Sequence, residues 1–508
     1  MKKLFFVLIA CACFGKARSA AGDSIWQLPI IHDIYLTFSQ TSFYDTLIAN
    51  HTADIYTECD MTFDGLLLPS CGVKMKGNSS FNNTSIKKSL KVDLNEFVSE
   101  QDYDGIKKFN LNNGFKDPTF IREKLTLDYM RRHGVHAPRC TYARVYLNNT
   151  YWGLYMLVED INGKFLTQHY GNNNGNLFKG DPSGDLQWFG SSVSSYTNHY
   201  ELDKTSTNDW TDLVNLISTI NNSPAATYYS SLEDSLFGWD FLANMAINNI
   251  FVNNDSYCGS GHNYYIYHDS LTMRWRWLPW DVNEAFGTFS MSLTPAQLKT
   301  LAFDWTSNPS NRVLATKMMA DPTYRQTYIY TYCYLMQDFT NAYLDPYIDS
   351  IANLIRTDVY ADPNKFYSNI DFENNLTSDI TTGPGPGGGT VLGLKDFITT
   401  RRASLETQLA PYGCYLSDSD LSSPHATFTF FPNPTTDLVR GTVPESWTAD
   451  PFTGDLVDCM GRIVVHYEYG RGTLQILIPM ADYVPGMYML VLKNASGLQF
   501  SYRIARSA

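Results

Sequence analysis

Alternating apolar and polar positions dominate the first part of the chain. Through residues 30–95 the alternation is broken by turn residues, which is typical of β-strands. Residues 89–94 alternate strictly, and residues 145–147 and 151–158 predict a hairpin around an Asn-Asn turn. The N-terminal part is therefore predicted to be rich in β-structure.

Helical periodicity follows these strands. Pro118 stands where a helix can begin, and Ile121 and Leu125 fall on one apolar face. Residues 264–267 and 273–278 predict a second pair of strands. The predicted helices span residues 118–133, 209–221, 234–252, 311–357 and 394–410. The fold class is thus predicted to be α+β.

The pattern changes near the C-terminus. Residues 383–389 (GPGPGGG) predict a flexible loop. Because a predicted helix follows this loop, the main domain is expected to end near residue 412. From about residue 425, strand patterns recur every 8–12 residues without a helix, which predicts a small all-β sandwich. The predicted division is 1–20, 28–412 and 425–508.

Residues 1–20 have the pattern of an export signal peptide. Lys2 and Lys3 precede an apolar stretch that is too short to span a bilayer, and small residues follow it. An alternative is a lipoprotein cleavage site at Cys11. No later apolar run reaches 18 residues, so we expect no transmembrane span in the mature chain. The net charge of -13 makes nucleic acid a poor partner.

Nine cysteines are present, and seven lie beyond the predicted signal peptide. The sequence contains no CxxC pair, which argues against a structural zinc site. Export would permit disulfides. Cys59 and Cys71 flank a predicted turn at Asp64-Gly65, so they are the first pair expected to form one. The odd total leaves at least one thiol free.

The segment 253–287 contains two carboxylates and an amide that could form one site: Asp255, Asn263 and Asp281. Phosphoryl transfer needs this inventory, because one carboxylate orients the attacking hydroxyl while another carboxylate and an amide hold metal ions. The alternative is that both aspartates only cap turns, a common role of Asp.

A second group of candidate residues lies nearer the N-terminus. Residues 76–80 (KGNSS) could offer backbone N–H groups to phosphate oxygens. Lys88 and Lys91 follow on or near a strand, and Glu123 on a predicted helix could hold such a lysine in place. The alternative is a surface turn with solvated lysines, since the segment matches neither a Walker motif nor a full GxGxxG.

Together these segments resemble the CotH family of atypical, protein-kinase-like phosphotransferases, over about residues 28–410. The motifs that carry the resemblance occur in one order: KGNSS at 76–80, KKSLK at 87–91, IREKL at 121–125, GVHAP at 134–138, YWGLYMLVE at 151–159, NYYIY at 263–267, LPWD at 278–281 and FG at 286–287. The resemblance implies a divergent bilobal kinase-like domain, with a β-rich N-lobe and a helical C-lobe. It also implies binding of ATP with Mg²⁺ or Mn²⁺, and transfer of phosphate to a Ser/Thr hydroxyl of a protein substrate.

The resemblance also implies roles for individual residues. Asp255 would be the catalytic base, Asp281 the metal ligand and Asn263 a second metal ligand. Either Lys88 or Lys91 would contact phosphate, with Glu123 as its helix partner. The residues implied to bind the nucleotide are Lys76, Asn78, Ser79, Lys88, Lys91, Glu123 and Glu159.

The chain departs from the family pattern after Asp281. Many relatives carry a second acidic residue two positions later, where this chain has Asn283. The alternative function is therefore a non-catalytic cell-surface adhesin or scaffold on a pseudokinase fold. A third candidate is a polysaccharide hydrolase, which would place two carboxyls about 5–10 Å apart in an aromatic groove.

The C-terminal segment resembles the sorting domain of type IX secretion substrates. The resemblance rests on FPNPTTD at 431–437, DCMGR at 458–462 and VPGMYML at 484–490. It implies the type IX secretion machinery as a partner, and a secreted or outer-membrane surface location in a Gram-negative bacterium. An immunoglobulin-like or carbohydrate-binding sandwich is the alternative.

Overall fold

The computed structural model describes most of the chain. Several predicted features lie outside the described residues: the signal peptide, the Pro-Asn-Pro of the predicted sorting motif, the Cys-Met-Gly that follows Asp458, and most of the glycine-rich loop. The described residues are 22–26, 30–204, 209–383, 389–412, 414, 428–431, 435–458, 462–484, 486–494 and 499–506.

Seven strands near the N-terminus close into a barrel in the order β1-β2-β3-β4-β5-β7-β6. All neighbours pair antiparallel except β1 and β6. Alternate residues fill the barrel with an apolar core, as the sequence pattern predicts. The barrel strands are β1 (Ile31–Thr37), β2 (Thr57–Phe63), β3 (Leu66–Lys76), β4 (Ser89–Asp93), β5 (Lys108–Asn112), β6 (Cys140–Leu147) and β7 (Thr150–Glu159).

A second antiparallel sheet, in the order β11-β10-β8-β9, follows the barrel in sequence. Its strands are β8 (Leu177–Lys179), β9 (Glu201–Lys204), β10 (Tyr264–Asp269) and β11 (Arg274–Pro279). The predicted hairpin of β10 and β11 is confirmed, whereas the short strands β8 and β9 were not predicted. Two further short strands, β12 (Ile380–Thr382) and β13 (Gly389–Val391), pair with each other.

Most helices share one large apolar core. The α-helices before the C-terminal segment are α1 (Phe43–His51), α2 (Arg122–Arg132), α3 (Gly163–Tyr170), α4 (Thr211–Asn222), α5 (Tyr228–Glu233), α6 (Gly238–Ile250), α7 (Pro295–Lys299), α8 (Val313–Ala320), α9 (Pro322–Met336), α10 (Asn341–Ala361), α11 (Asn369–Asn375) and α12 (Leu394–Leu409); α1 and α3 pack in two smaller apolar clusters. No helix in the described ranges is both long and apolar enough to cross a membrane. The predicted α+β class is confirmed.

The helix α2 starts four residues later than predicted, at Arg122. The backbone of Phe120 has a φ of 56°, which a right-handed helix cannot contain. The Asp117 carboxylate accepts hydrogen bonds from the N–H groups of Thr119 and Arg122 at 2.9 Å each. These bonds satisfy free N–H groups where the helix begins, so Asp117 and not Pro118 determines its start.

The C-terminal segment contains two antiparallel sheets, in the orders β14-β15-β18 and β17-β16-β19-β20. They share an apolar core. The elements are β14 (Thr429–Phe431), β15 (Leu438–Thr442), α13 (Glu445–Thr448), β16 (Phe452–Asp458), β17 (Ile463–Tyr469), β18 (Gln475–Pro479), β19 (Gly486–Asn494) and β20 (Gln499–Arg506). The four-residue helix α13 departs from the prediction that this segment has no helix.

The predicted disulfide between Cys59 and Cys71 is wrong. The two residues do lie opposite each other on β2 and β3, as the hairpin argument requires, but both are free and buried. Among the described cysteines, a disulfide joins Cys333 to Cys414, which are 81 residues apart in sequence. Such a long-range pair cannot be deduced from local turn signals.

Candidate functional site

The open end of the β10–β11 hairpin brings two predicted site residues together. Tyr264 pairs with Pro279 at the last rung of the hairpin. Asn263 directly precedes this rung and Asp281 follows it by two residues. Both have left-handed backbones, with φ of 63° and 51°. Such conformations are costly for non-glycine residues and often occur at functional sites.

The segment that carries Asp255 is hydrogen-bonded to the segment that follows Asp281. The N–H of Phe286 donates to the carbonyl of Phe251 at 2.6 Å, and the N–H of Gly287 donates to the carbonyl of Val252 at 3.0 Å. These two bonds hold the loop after α6 beside the loop after β11. Asp255 and Asp281 therefore approach each other although 26 positions separate them.

Asn263 orients the Asp255 carboxylate. Its amide Nδ2 donates to the backbone carbonyl and to Oδ2 of Asp255, both at 2.9 Å. Nε2 of His262 lies 3.5 Å from the other oxygen, Oδ1. The side chain of Asp255 is 17 % exposed, so the carboxylate is held in place but stays accessible.

The carboxylate of Asp281 makes no hydrogen bond or ion pair with another described residue. Burial raises its pKa, and the nearby charge of Lys76 opposes this shift while that of Asp255 adds to it. A half-buried carboxylate that is repelled by a second one is stabilised by a cation.

Lys76 reaches the same region from the end of β3. Its Nζ donates to Oδ1 of Asn112 at 3.0 Å and to Oδ1 of Asn110 at 3.2 Å. It also lies 5.2 Å from the ring centroid of Trp280. Burial lowers the pKa of Lys76, and the charges of Asp281 and Glu123 oppose this shift. Its direct partners are neutral amides, so its charge is available to an anion.

Glu123, in the first turn of α2, is linked to Lys76 through Asn112. Nδ2 of Asn112 donates to both carboxylate oxygens of Glu123, at 2.8 and 2.9 Å. Burial, with repulsion from Asp281, raises the pKa of Glu123 to about 7. Glu123 is therefore linked to Lys76 at the end of β3, and not to Lys88 or Lys91, with which the resemblance paired it.

Lys91 lies on the outer face of the barrel in an ion pair. Its Nζ is 2.8 Å from Oδ1 of Asp160, the residue that directly follows β7. Nδ2 of Asn110 donates to the same oxygen at 3.1 Å. The amide of Asn110 thus contacts both Lys76 and the partner of Lys91, which places Lys91 at the border of the site.

Glu284 adds a carboxylate that the sequence analysis did not identify. Lys116 donates to both of its oxygens, at 2.9 and 2.7 Å. Burial raises the pKa of Glu284 to about 7, and Lys116 opposes the shift while Asp255 adds to it. The signal was present in the sequence, because Glu284 follows Asp281 by only three residues.

The remaining predicted residues do not join this group. Lys88 donates to the carbonyls of Phe81 and Asn83 at 2.6 and 2.7 Å and so fastens the loop between β3 and β4. Asn78 lies in that exposed loop and accepts a hydrogen bond from Asn82, and Ser79 is exposed beside it.

Glu159 also forms an ion pair outside this group. Its two carboxylate oxygens lie 2.5 and 2.9 Å from the guanidinium of Arg139. Such a bidentate pair with both partners buried is a structural contact. The residue that borders the site at the end of β7 is its neighbour Asp160.

The group offers oxygen ligands and lysine charges, the chemistry of a metal–phosphate site. Within the described ranges, no cluster of three or more His, Cys, Asp or Glu side chains is arranged to hold a metal ion alone. Mg²⁺ is commonly bound by one or two carboxylates together with substrate phosphates. Asp281 and Asn263 fit that kind of partial site.

Comparison with known proteins points to the same segment. The model of the family described as CotH kinase protein matches residues 73–405. The inner spore coat protein H of Bacillus subtilis (strain 168) is 24% identical to this chain over 289 residues. That alignment covers 55% of this chain and 75% of the relative. The matched region begins within β3, three residues before Lys76, and ends within α12.

Proposed function

The chain belongs to the CotH kinase protein family, and from this premise we propose that it is an exported atypical kinase. It transfers phosphate from ATP to Ser or Thr hydroxyls of a protein substrate in a metal-dependent reaction. The family membership supports a kinase-like protein. The acceptor, the metal requirement and the export are the parts of the proposal that experiments must test.

One observation carries the proposal: four charged residues from distant segments converge on one place. Asn112 hydrogen-bonds to both Lys76 and Glu123, and Lys76 lies over the ring of Trp280, the neighbour of Asp281. At the same end of the hairpin, Asn263 donates to Asp255. A lysine with a helix glutamate, a metal-binding aspartate and a base are the parts that kinase chemistry requires. Aspartates that only cap turns would have no reason to lie near a half-buried lysine from another segment.

Asp255 is the proposed base. Asn263 fixes its Oδ2, so Oδ1 is the oxygen that accepts the proton of the substrate hydroxyl. A base held in one orientation keeps that oxygen within reach of the hydroxyl through the reaction. His262, 3.5 Å from Oδ1, lies where it can share the proton afterwards.

Lys76 is the proposed phosphate-binding lysine, and Asn112 with Glu123 positions it. Asp281 and Asn263 would hold Mg²⁺ or Mn²⁺, with the phosphates as the remaining ligands. The metal supplies charge neutralisation on the phosphate oxygens when it is bound. None of the hydrogen bonds of the described residues occupies Oδ1 of Asn263, which leaves that oxygen for the metal.

The layout and location complete the proposal. The barrel would serve as the N-lobe and the helical region with the second sheet as the C-lobe. The C-terminal sheets would be a type IX sorting domain that directs the chain to the surface of a Gram-negative cell or beyond it. The two sheets with a shared apolar core are compatible with a sandwich.

The test is transfer of labelled phosphate from ATP to protein, with Mn²⁺ or Mg²⁺, alongside calorimetric nucleotide binding. Asp281→Asn should abolish metal-dependent nucleotide binding. Asp255→Asn should keep binding and lower transfer about 10²–10⁴-fold. Asp45→Asn, on the exposed surface of α1, is the matched control and should match the wild type.

The outcomes separate the alternatives. Binding of metal and nucleotide without transfer to any acceptor, including the chain itself, would favour a pseudokinase scaffold. No nucleotide binding by a folded wild-type chain would overturn the proposal altogether.

A further inference from the structure

Lys179, in the second sheet, lies outside the motifs that carry the family resemblance and near the same site as Lys76. Lys179 is the last residue of β8 and lies directly opposite Tyr265 on β10. Side chains opposite each other on neighbouring strands share one face of a sheet. Lys179 and Tyr265 therefore point to the same side.

Two aromatic rings connect this side of the sheet to Lys76. Tyr265 contacts Trp280 edge-on, with ring centroids 5.5 Å apart. The ring of Trp280 also contacts Lys76, whose Nζ lies 5.2 Å from the ring centroid. The two lysines thus flank one aromatic pair, Lys76 from the barrel and Lys179 from the second sheet.

The charges around Lys179 match this placement. It interacts electrostatically with Asp281, the proposed metal ligand. Its own ion pairs are with Asp181 at 2.6 Å and Glu201 at 3.5 Å, and its side chain is 20% exposed. An ammonium that is mostly buried yet reachable, beside a metal-binding carboxylate, is suited to bind a metal-bound phosphate.

We propose that Lys179 binds nucleotide phosphate from the wall opposite Lys76, so that one lysine from each side of the site holds the phosphate chain. This inference rests on the proposed function, because it requires nucleotide at the site. Phosphate must then compete with Asp181 for the ammonium. The ion pair between Lys179 and Asp181 weakens nucleotide binding by the free chain.

Because phosphate and Asp181 compete for Lys179, we expect substitutions of Lys179 and of Asp181 to change the affinity for ATP in opposite directions. Loss of one charge-assisted contact in Lys179→Met should weaken ATP binding roughly ten- to hundredfold. Asp181→Asn should strengthen it, because the ammonium no longer has its nearest carboxylate. If Lys179 only anchors the local structure, Asp181→Asn should weaken binding or leave it unchanged.

The experiment is calorimetry on the full chain with Mn²⁺, using ATP, inorganic tripolyphosphate and adenosine as probes. Lys164→Met is the control, since Lys164 is exposed on α3. Lys179→Met should lower the affinity for ATP and tripolyphosphate and leave that for adenosine unchanged. Lys179→Arg, which keeps the charge, should restore part of the affinity and so excludes a folding defect.

Failure of this inference is distinct from failure of the proposed function. If Lys76→Met loses ATP binding while Lys179→Met and Asp181→Asn bind like the wild type, the role of Lys179 is refuted and the kinase proposal stands. If the wild type binds neither ATP nor tripolyphosphate, both are refuted.

Discussion

A buried ion pair between Lys87 and Asp362 joins the barrel to the end of α10, and its removal has a calculable effect. Both side chains are 0% exposed, and Nζ of Lys87 lies 2.5 Å from Oδ2 of Asp362. Asp362 also accepts the N–H of Leu154 on β7 at 3.0 Å. We expect Lys87→Met or Asp362→Asn alone to destabilise this junction by about 3–5 kcal/mol, because each leaves a buried group without its partner.

The upper limit of this destabilisation follows from the free energy that is needed to deprotonate the lysine. In Asp362→Asn the ammonium can avoid an unpaired buried charge by losing its proton. For an ordinary lysine this costs about 4.6 kcal/mol at pH 7, and burial lowers the pKa of Lys87, which reduces that cost. The double variant Lys87→Met/Asp362→Asn contains no charge, and the amide oxygen introduced at position 362 can still accept from the N–H of Leu154. It should be more stable than the sum of the single effects by about 2–3 kcal/mol.

The assay is hydrogen–deuterium exchange of the β7 amides, which reports the free energy of local opening. A global melt is less suitable, because a chain with several cores need not unfold in a single two-state transition. Lys74→Met is the control, since Lys74 pairs with Asp54, whose side chain is 75% exposed, and should cost under about 1 kcal/mol. Equal effects of Lys74→Met and Lys87→Met, or additive effects in the double variant, would refute the reasoning.

Three further predictions concern the site and the cysteines. Lys76→Met should lower nucleotide affinity at least tenfold, whereas Lys88→Met should leave it unchanged and increase proteolysis of the loop between β3 and β4; calorimetry and limited digestion measure both. Glu284 has a pKa raised from 4.5 to about 7, so the folded chain holds a proton that the unfolded chain releases. Stability should fall as pH rises from about 4.5 to 7, and Glu284→Gln should reduce this slope in melts at stepped pH. Peptide mapping without reduction should find Cys333 linked to Cys414; recovery of both as thiols from oxidised protein would contradict the assignment.

Local patterns were enough to predict many of the elements but not how they are assembled. The alternation in β3 and β4 and the periodicity of α12 give correct strands and helices, because the buried face repeats with the period of the element. The strands β8 and β9 are only three and four residues long. Of the two, β8 pairs with β10, which is distant in sequence, and β9 pairs with β8 across a long connection, so no local signal marks them.

The sequence also could not determine which lysine lies beside the carboxylates of the site. Lys88 and Lys91 belong to the strongest basic cluster, which favoured them in the sequence. Which lysine reaches the carboxylates depends on the register of three strands, since β4 must hold Asn110 and Asn112 of β5 beside the end of β3. Lys76 was predicted as part of a turn offering backbone N–H groups, and the structure places its side chain against Asn110 and Asn112.

The balance of charge at the site limits how a nucleotide can bind there. Three lysines, Lys76, Lys91 and Lys179, are surrounded by a larger number of carboxylates: Glu123, Asp160, Asp181, Glu201, Asp203, Asp255 and Asp281. Two of the lysines are already paired with acids. A polyanion without a cation would therefore meet net repulsion, while a divalent ion beside Asp281 reverses the local sign. For this arrangement metal and nucleotide must bind together, and affinity for ATP alone should be far weaker than affinity for its Mn²⁺ complex.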